Sequence, residues 1–144
     1  MNQINERSLH HARQCSRRLG LQALYQWHFN QNSVSELVDQ YQSDEYWEKS
    51  DHDYFSDVVG GVIKEHTLLD EHINSASEYS TERIDPIELA SLRIATYELI
   101  HMPEVPGKVI IAEAVRLCRK FGSDEGFKLV NVILDKLVNR IRTS

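Results

Sequence analysis

The chain has 144 residues, 41% of them hydrophobic and 26% charged, which is enough apolar material for one domain with a real core and too much for a disordered tail. Six glycines, three prolines and almost no strand-like alternation exclude a many-turned sandwich and leave an all-α fold. A formal net charge of −6 excludes a chain that binds nucleic acid through bulk charge, and the lack of a signal peptide or of an apolar run near about 18 residues points to a soluble, cytoplasmic protein with no membrane partner.

The charge is unevenly spread. Residues 1–20 hold Arg7, Arg13, Arg17 and Arg18 against Glu6, a net of +3. Residues 44–57 hold six acids against Lys49, a net of −5. Such asymmetry permits a local phosphate-binding face on an acidic protein.

Residues 1–8 are polar and read as a loose segment. A long helix is predicted over about 9–30. At about 100° per residue its wheel puts Ala12, Cys15, Leu19, Ala23 and Trp27 on one side. Arg7, His10, His11, Arg13, Gln14, Arg17 and Arg18 fall on an arc of roughly 160° opposite. A turn at Asn30–Ser33 leads to a short helix over 34–42, with Ser33 as its cap and Glu36 at the capping-box position. The acidic stretch 43–51 reads as a loop or frayed turn. A third helix starts near Asp53, and its pattern runs to about Glu78, with a separate helix open after Ile63. Gly60-Gly61 lies inside it, and since each glycine costs about 1 kcal/mol in a helix, a close helix–helix approach is expected there.

Tyr79–Ile84 reads as a linker. Asp85–Ile100 then opens with an N-cap aspartate, Pro86 at the first helical position and Glu88 where it can reach back to the cap. Its apolar residues cover nearly the whole wheel, which predicts a central helix against which the others pack. Pro103–Gly107 is the strongest break. The next helix, about 108–121, is expected to turn Ile111, Ala114, Val115 and Cys118 inward and Glu113, Arg116, Arg119 and Lys120 outward. Gly122 reads as its stop. The last helix, about 124–142, carries Val130, Ile133, Leu134, Leu137 and Ile141 on its stripe.

Catalytic chemistry is not visible. Among seven histidines no spacing suits a metal; His66 and Asp70 lie one turn apart but lack a third ligand nearby. There is no phosphate-binding glycine loop, nucleophile elbow or zinc-protease motif. Cys15 and Cys118 have neither pairing nor metal spacing and read as small core residues. No metal and no cofactor is implied. The arginine arc is the one functional signal, since guanidinium forks suit phosphate and stack on bases, although a solvated charged face explains the spacing equally well.

Five stretches taken in order resemble the NusB family of bacterial transcription antitermination factors. They are A-R-Q-C-S-R-R-L-G-L-Q-A-L-Y-Q-W (12–27), D-V-V-G-G-V (57–62), D-P-I-E-L-A-S-L-R-I-A-T-Y-E-L (85–99), V-P-G-K-V-I-I-A-E-A-V-R-L-C-R-K-F-G (105–122) and K-L-V-N-V-I-L-D-K-L (128–137). The resemblance implies a bundle of about seven helices in two antiparallel three-helix subdomains, here about 9–80 and 84–142. It implies no enzymatic activity. It also implies binding of boxA leader RNA together with a small-subunit ribosomal protein that acts as NusE, within the RNA polymerase antitermination complex and chiefly in ribosomal RNA operons. By position, the resemblance assigns Arg13, Gln14, Arg17 and Arg18 to RNA, with charge from Lys108 and a position at Leu129. It assigns Tyr25 and Glu88 to the protein partner, and places Asp124 or Glu125 near both RNA and partner.

The chain departs from the family pattern at Ala112, where an asparagine is usual, at Leu129, where an aromatic could stack on a base, and at Val132, usually glycine. Phe127 is a poor substitute for that aromatic because it points elsewhere on the helix. His10, His11 and Gln14 stand where many relatives carry arginine, so the positive arc is thinner and gains charge as histidines protonate below about pH 6.5. These departures support a second reading, a protein-only helical interaction module with little RNA affinity. A third, a fragment of an RNA cytosine methyltransferase, lacks the cofactor loop. Self-association through faces that await partners is also expected, giving a homodimer in their absence.

Overall fold

A computed structural model describes residues 2–142 of the chain, with side chains described from Arg7 on. These residues form six α-helices and no strand: α1 Asn2–Asn30, α2 Val34–Tyr41, α3 His52–Ala76, α4 Pro86–His101, α5 Gly107–Phe121 and α6 Gly126–Ile141, with a 3-10 turn at Thr81–Arg83. The all-α expectation is met. Two compact units divide between Ile63 and Lys64. The expected linker Tyr79–Ile84 lies within the second unit.

In the first unit, α1 starts earlier than the polar sequence suggested. Helix replaces the loose segment from Asn2 on, and Met1 lies outside the described residues. Leu19, Leu21, Ala23, Leu24 and Trp27 are buried together with Leu37 of α2 and Phe55, Val58, Val59 and Val62 of α3. The start of α2 is as read. Ser33 Oγ accepts from Glu36 N at 3.2 Å, Ser33 N donates to Glu36 Oε1 at 2.9 Å, and those Ser33 donors hold the Glu36 carboxyl below its usual range. Residues 42–51 form successive turns. Gly60 does not mark a tight crossing: a Cβ there would meet Val34 Cγ1 at 3.7 Å, an ordinary contact.

In the second unit, α3 is broken at Glu65 (φ −109°, ψ 16°), where two helices join across a kink, so the separate helix left open after Ile63 is present. Glu65 Oε1 lies 2.9 Å from His101 Nε2. In this unit α4, α5 and α6 pack pairwise against each other. Every residue of α4 from Glu88 to Leu99 is buried, as its apolar wheel required. Several of its polar groups find partners inside the unit, while Glu88 Oε2 and Thr96 Oγ1 are buried without a hydrogen bond. Arg93 makes a two-pronged ion pair with Asp70 (2.9 and 2.8 Å), and Ser91 Oγ donates to Ala114 O. At the C-terminal end of α4, Arg142 donates to the carbonyls of Glu98, Leu99, Met102 and Val105. A helix end leaves such carbonyls without intrahelical donors, and one guanidinium supplies them.

α5 is turned from its expected orientation. Ile110, Glu113, Ala114, Leu117 and Cys118 are buried, while Ile111 and Val115 are only half-buried. Ile110 and Leu117 shift the stripe's centre, and Glu113 follows it inward, paired with Arg116 at 3.0 Å. On α6, Val130, Ile133, Leu134 and Leu137 form the buried stripe. Both cysteines are buried and unbridged, and burial pushes the Cys118 thiol up to about 11.

Candidate nucleic-acid interface

The arginine arc of α1 is not a row of freely solvated side chains. Aromatic rings from the following turns and from α3 lie against it. The Arg13 guanidinium sits 4.7 Å from the Tyr54 ring centroid, Arg17 sits 5.2 Å from the same ring, and Arg18 sits 4.3 Å from Tyr46. Asp51 fixes the geometry. Its Oδ2 lies 3.7 Å from Arg13 Nε, its Oδ1 accepts from Tyr54 N at 3.1 Å as a cap on α3, and its backbone N donates to Ser16 Oγ at 2.9 Å. Ser16 Oγ in turn donates to Asp51 O at 2.8 Å. Asp51 therefore ties α1, the turns and the start of α3 together beneath the arginines.

The four candidate residues differ in access. Arg13, Gln14 and Arg18 are half-buried, but Arg17 is only 3% exposed, which corrects its placement on an outward arc. The wheel cannot foresee this, because the cover comes from residues far along the chain. Tyr46, Asp51 and Tyr54 lie against these arginines, and sequence reasoning passed them over. Their signal was present in the acidic stretch that opposes the basic start of the chain in sign. A guanidinium held on an aromatic face keeps its edge donors in a fixed plane, which suits phosphate oxygens or a base edge.

At the other end of α1, Tyr25 is exposed and meets Phe29 edge-on with ring centroids 5.1 Å apart; His28 meets Phe29 at 5.0 Å. Phe29 is 59% exposed and was not singled out from sequence, although it stands one turn after Tyr25. Large exposed aromatics grouped on one helix face mark a protein-contact surface.

In the second unit, Glu88 does not close a capping box on Asp85, whose Oδ1 accepts from Ile87 N at 2.9 Å. Its side chain turns instead to the α5–α6 turn, where Glu88 Oε1 accepts from Ser123 Oγ at 2.6 Å and Ser123 N at 3.2 Å. Glu88 is 1% exposed. A Cβ on Gly126 would collide with its carboxyl, and one on Gly122 would lie 3.2 Å from it, so both glycines are there for space. Gly122 keeps φ at −90°, so it ends α5 without a left-handed conformation. Burial pushes the Glu88 carboxyl above its usual range, the Ser123 donors oppose this, and neighbouring Asp85 adds to the rise. The turn built on Glu88 displays Asp124 and Glu125, both exposed, and Glu125 Oε2 pairs with Lys128 Nζ at 2.8 Å. Structure thus brings Glu88, Asp124 and Glu125 into one small element.

Lys108 is exposed in the first turn of α5, and Ala112 is exposed one turn on. Leu129 is half-buried and Val132 is 52% exposed, so the valine closes no tight approach. Phe127 does point elsewhere, with the Arg119 guanidinium 4.2 Å from its ring centroid. Among the described residues no group of three or more His, Cys, Asp or Glu could hold a metal, and no helix is long and apolar enough to cross a membrane.

The model of the NusB family matches residues 14–139. A transcription antitermination protein NusB of Idiomarina loihiensis is 42% identical over 131 residues, covering 91% of this chain and 94% of that protein. One from Coxiella burnetii is 40% identical over 127 residues, covering 88% and 92%. The solved structure of T. maritima NusB superposes with a TM-score of 0.76 at 24% identity, over 88% of this chain and 89% of that one, and so bears on the fold.

Proposed function

The chain belongs to the NusB family of transcription antitermination proteins, and we propose that it binds boxA leader RNA together with a small-subunit ribosomal protein acting as NusE. The complex would help RNA polymerase read through terminators, chiefly in ribosomal RNA operons. Members of this family are not enzymes, and the role needs no cofactor or metal.

The observation that carries this reading is the arginine cluster of α1, held on Tyr46 and Tyr54 with Asp51 as its anchor. Arg13, Gln14 and Arg18 reach the surface and take RNA phosphates or base edges. Arg17 lies beneath them, stacks on Tyr54 and keeps that ring in place while adding positive potential. In the second unit, Lys108 adds charge, and Leu129 and Glu125 stand at positions assigned to RNA. For the partner protein, Tyr25 with Phe29 offers an aromatic surface, and Asp124 with Glu125 offers an acidic one. Glu88 acts on the partner indirectly, by holding the turn that displays those two acids. In the absence of the partner the free aromatic surface favours self-association.

The test is binding of a boxA-containing RNA and a scrambled control, with and without the ribosomal partner, at two salt concentrations. Sequence-selective binding that weakens with salt and strengthens with the partner is the expected result, since phosphate contacts release counterions. A specific observation favours the second reading, a protein-only module: Arg17 is buried and Arg13 lies beside Asp51, which lowers the free positive charge at the surface. Intact partner binding with RNA no better than the scramble would establish that module and overturn the RNA role.

A further inference from the structure

Within the second unit, the end of α3, the loop after it and one face of α6 enclose a groove of about 250 Å³. Its floor is apolar, formed by Ala76, Leu129 and Ile133. Tyr79 stands as one wall, 46% exposed. The loop that carries Tyr79 is already held: Tyr79 N donates to Ser77 Oγ at 3.0 Å and Thr81 N donates to Asn74 Oδ1 at 2.9 Å. A large aromatic that is ordered by its backbone and open on its ring is a surface waiting for a planar group.

The rim carries charge in a regular array. Lys128, Val132, Lys136 and Arg140 follow at intervals of four on α6 and so share one face. The two lysines line the groove about 12 Å apart along the axis, two helical turns. Arg140 continues the row, anchored on Ser75 O and Oγ at 2.9 and 3.1 Å, and Arg83 lies 5.9 Å from the Tyr79 ring centroid. Glu78 is the one acidic residue among those lining the groove. Lys128 is paired with Glu125, but both are well exposed, and a surface pair of that kind yields readily to a phosphate.

An apolar floor, an aromatic wall and cations on both sides match a nucleobase with a phosphate before and after it. The volume lies below the roughly 300 Å³ at which pockets for larger ligands begin, and suits a single ring system. We propose that this groove takes one base of single-stranded RNA, with Tyr79 as the stacking platform and Lys128 and Lys136 on the flanking phosphates. The inference rests on the RNA-binding reading above and supplies, from the facing loop, the aromatic that position 129 lacks.

The experiment measures affinity of the full chain for fluorescein-labelled boxA RNA and for the same RNA made abasic at each position in turn. Stacking on an aromatic changes affinity by about tenfold per base. Tyr79→Leu is therefore expected to weaken intact RNA about tenfold, while Tyr79→Phe keeps affinity. One abasic position should cost the unaltered chain about as much and cost Tyr79→Leu almost nothing further. Lys136→Gln should reduce the slope of log affinity against log salt by about one. Circular dichroism checks that the Tyr79 variants keep their helices, as its exposure leads one to expect. Equal RNA binding by Tyr79→Leu and the unaltered chain, or penalties that add fully at every abasic position, would overturn the groove while leaving the arginine site standing. No RNA binding by the unaltered chain would overturn both.

Discussion

Helices α1 and α4 both carry charged side chains into buried positions, and they use them differently. On α4, Glu88 is caged by Ser123, Gly122 and Gly126, and Arg93 is closed by Asp70. These charges serve the fold, since a buried charge is tolerated only with its partners in place. On α1, Arg13, Arg17 and Arg18 each lie against an aromatic face, and Arg13 lies beside a carboxylate as well. A ring face holds a guanidinium in a fixed plane, and Arg13 and Arg18 keep part of their surface open to solvent. The difference teaches where to look for function in a chain of net negative charge. A half-buried cation laid on a ring presents part of itself to solvent, and a buried one in a two-pronged ion pair does not.

The comparison breaks first at the Glu88 cage. Gly126→Ala should destabilise the chain by about 3 kcal/mol, because the new methyl cannot coexist with the carboxyl. In a Glu88→Ala background the same change should cost well under 1 kcal/mol. Urea unfolding of the four proteins of that cycle measures the coupling, and additive losses would show that the cage is not what Gly126 serves.

Arg142 tests how far α4 depends on donors from outside itself. Arg142→Ala removes bonds to four carbonyls and should cost about 2 kcal/mol, read as a lower unfolding midpoint at unchanged slope.

On the α1 side, Arg13→Ala with Arg18→Ala should lower RNA affinity about tenfold and reduce the salt slope by between about one and two, with the thermal midpoint nearly unchanged. Arg17→Ala is expected to behave as a fold variant, lowering stability as well as RNA binding, because Arg17 is buried on Tyr54. A salt slope that stays the same in the double variant would mean that its guanidinium edges are not used.

The smallest effect is in pH. The folded-state pKa of Glu88 lies above its ordinary 4.5, so the folded chain binds this proton more tightly than the unfolded chain does. The stability this contributes is full below pH 4.5 and is lost as pH rises through the folded pKa. Glu88→Gln should remove that component, so that its advantage over the unaltered chain grows as pH rises from 4.5 towards neutrality and then levels off. Parallel pH–stability curves for the two would show that Glu88 ionises in the fold as freely as in the unfolded chain.

Much of this was legible in the residues alone. The Asp85-Pro86 start and all-round apolar surface of Pro86–His101 identified the central helix, because cap chemistry and burial on every side are local properties of the sequence. Ser33 and Glu36 announced their capping box for the same reason. The succession of five family-like stretches located the candidate faces. What depended on distant parts of the chain was not legible. The wheel placed Arg17 outside, and Tyr54, 37 positions later, covers it. The capping pattern predicted Glu88 bonding back to the Asp85 cap, and Ser123, 35 positions on, supplies its donors instead. Gly60 looked like a crossing point, while the glycines that neighbouring side chains crowd most are Gly107, beside Val138, and Gly126, beside Glu88. The sequence by itself determined the helices, their caps, their chief apolar stripes and the family. Only the tertiary structure decided which charges are spent inside the fold and which are left to bind, because that depends on the side chain brought opposite each charge, and helical periodicity carries no information about the opposite wall.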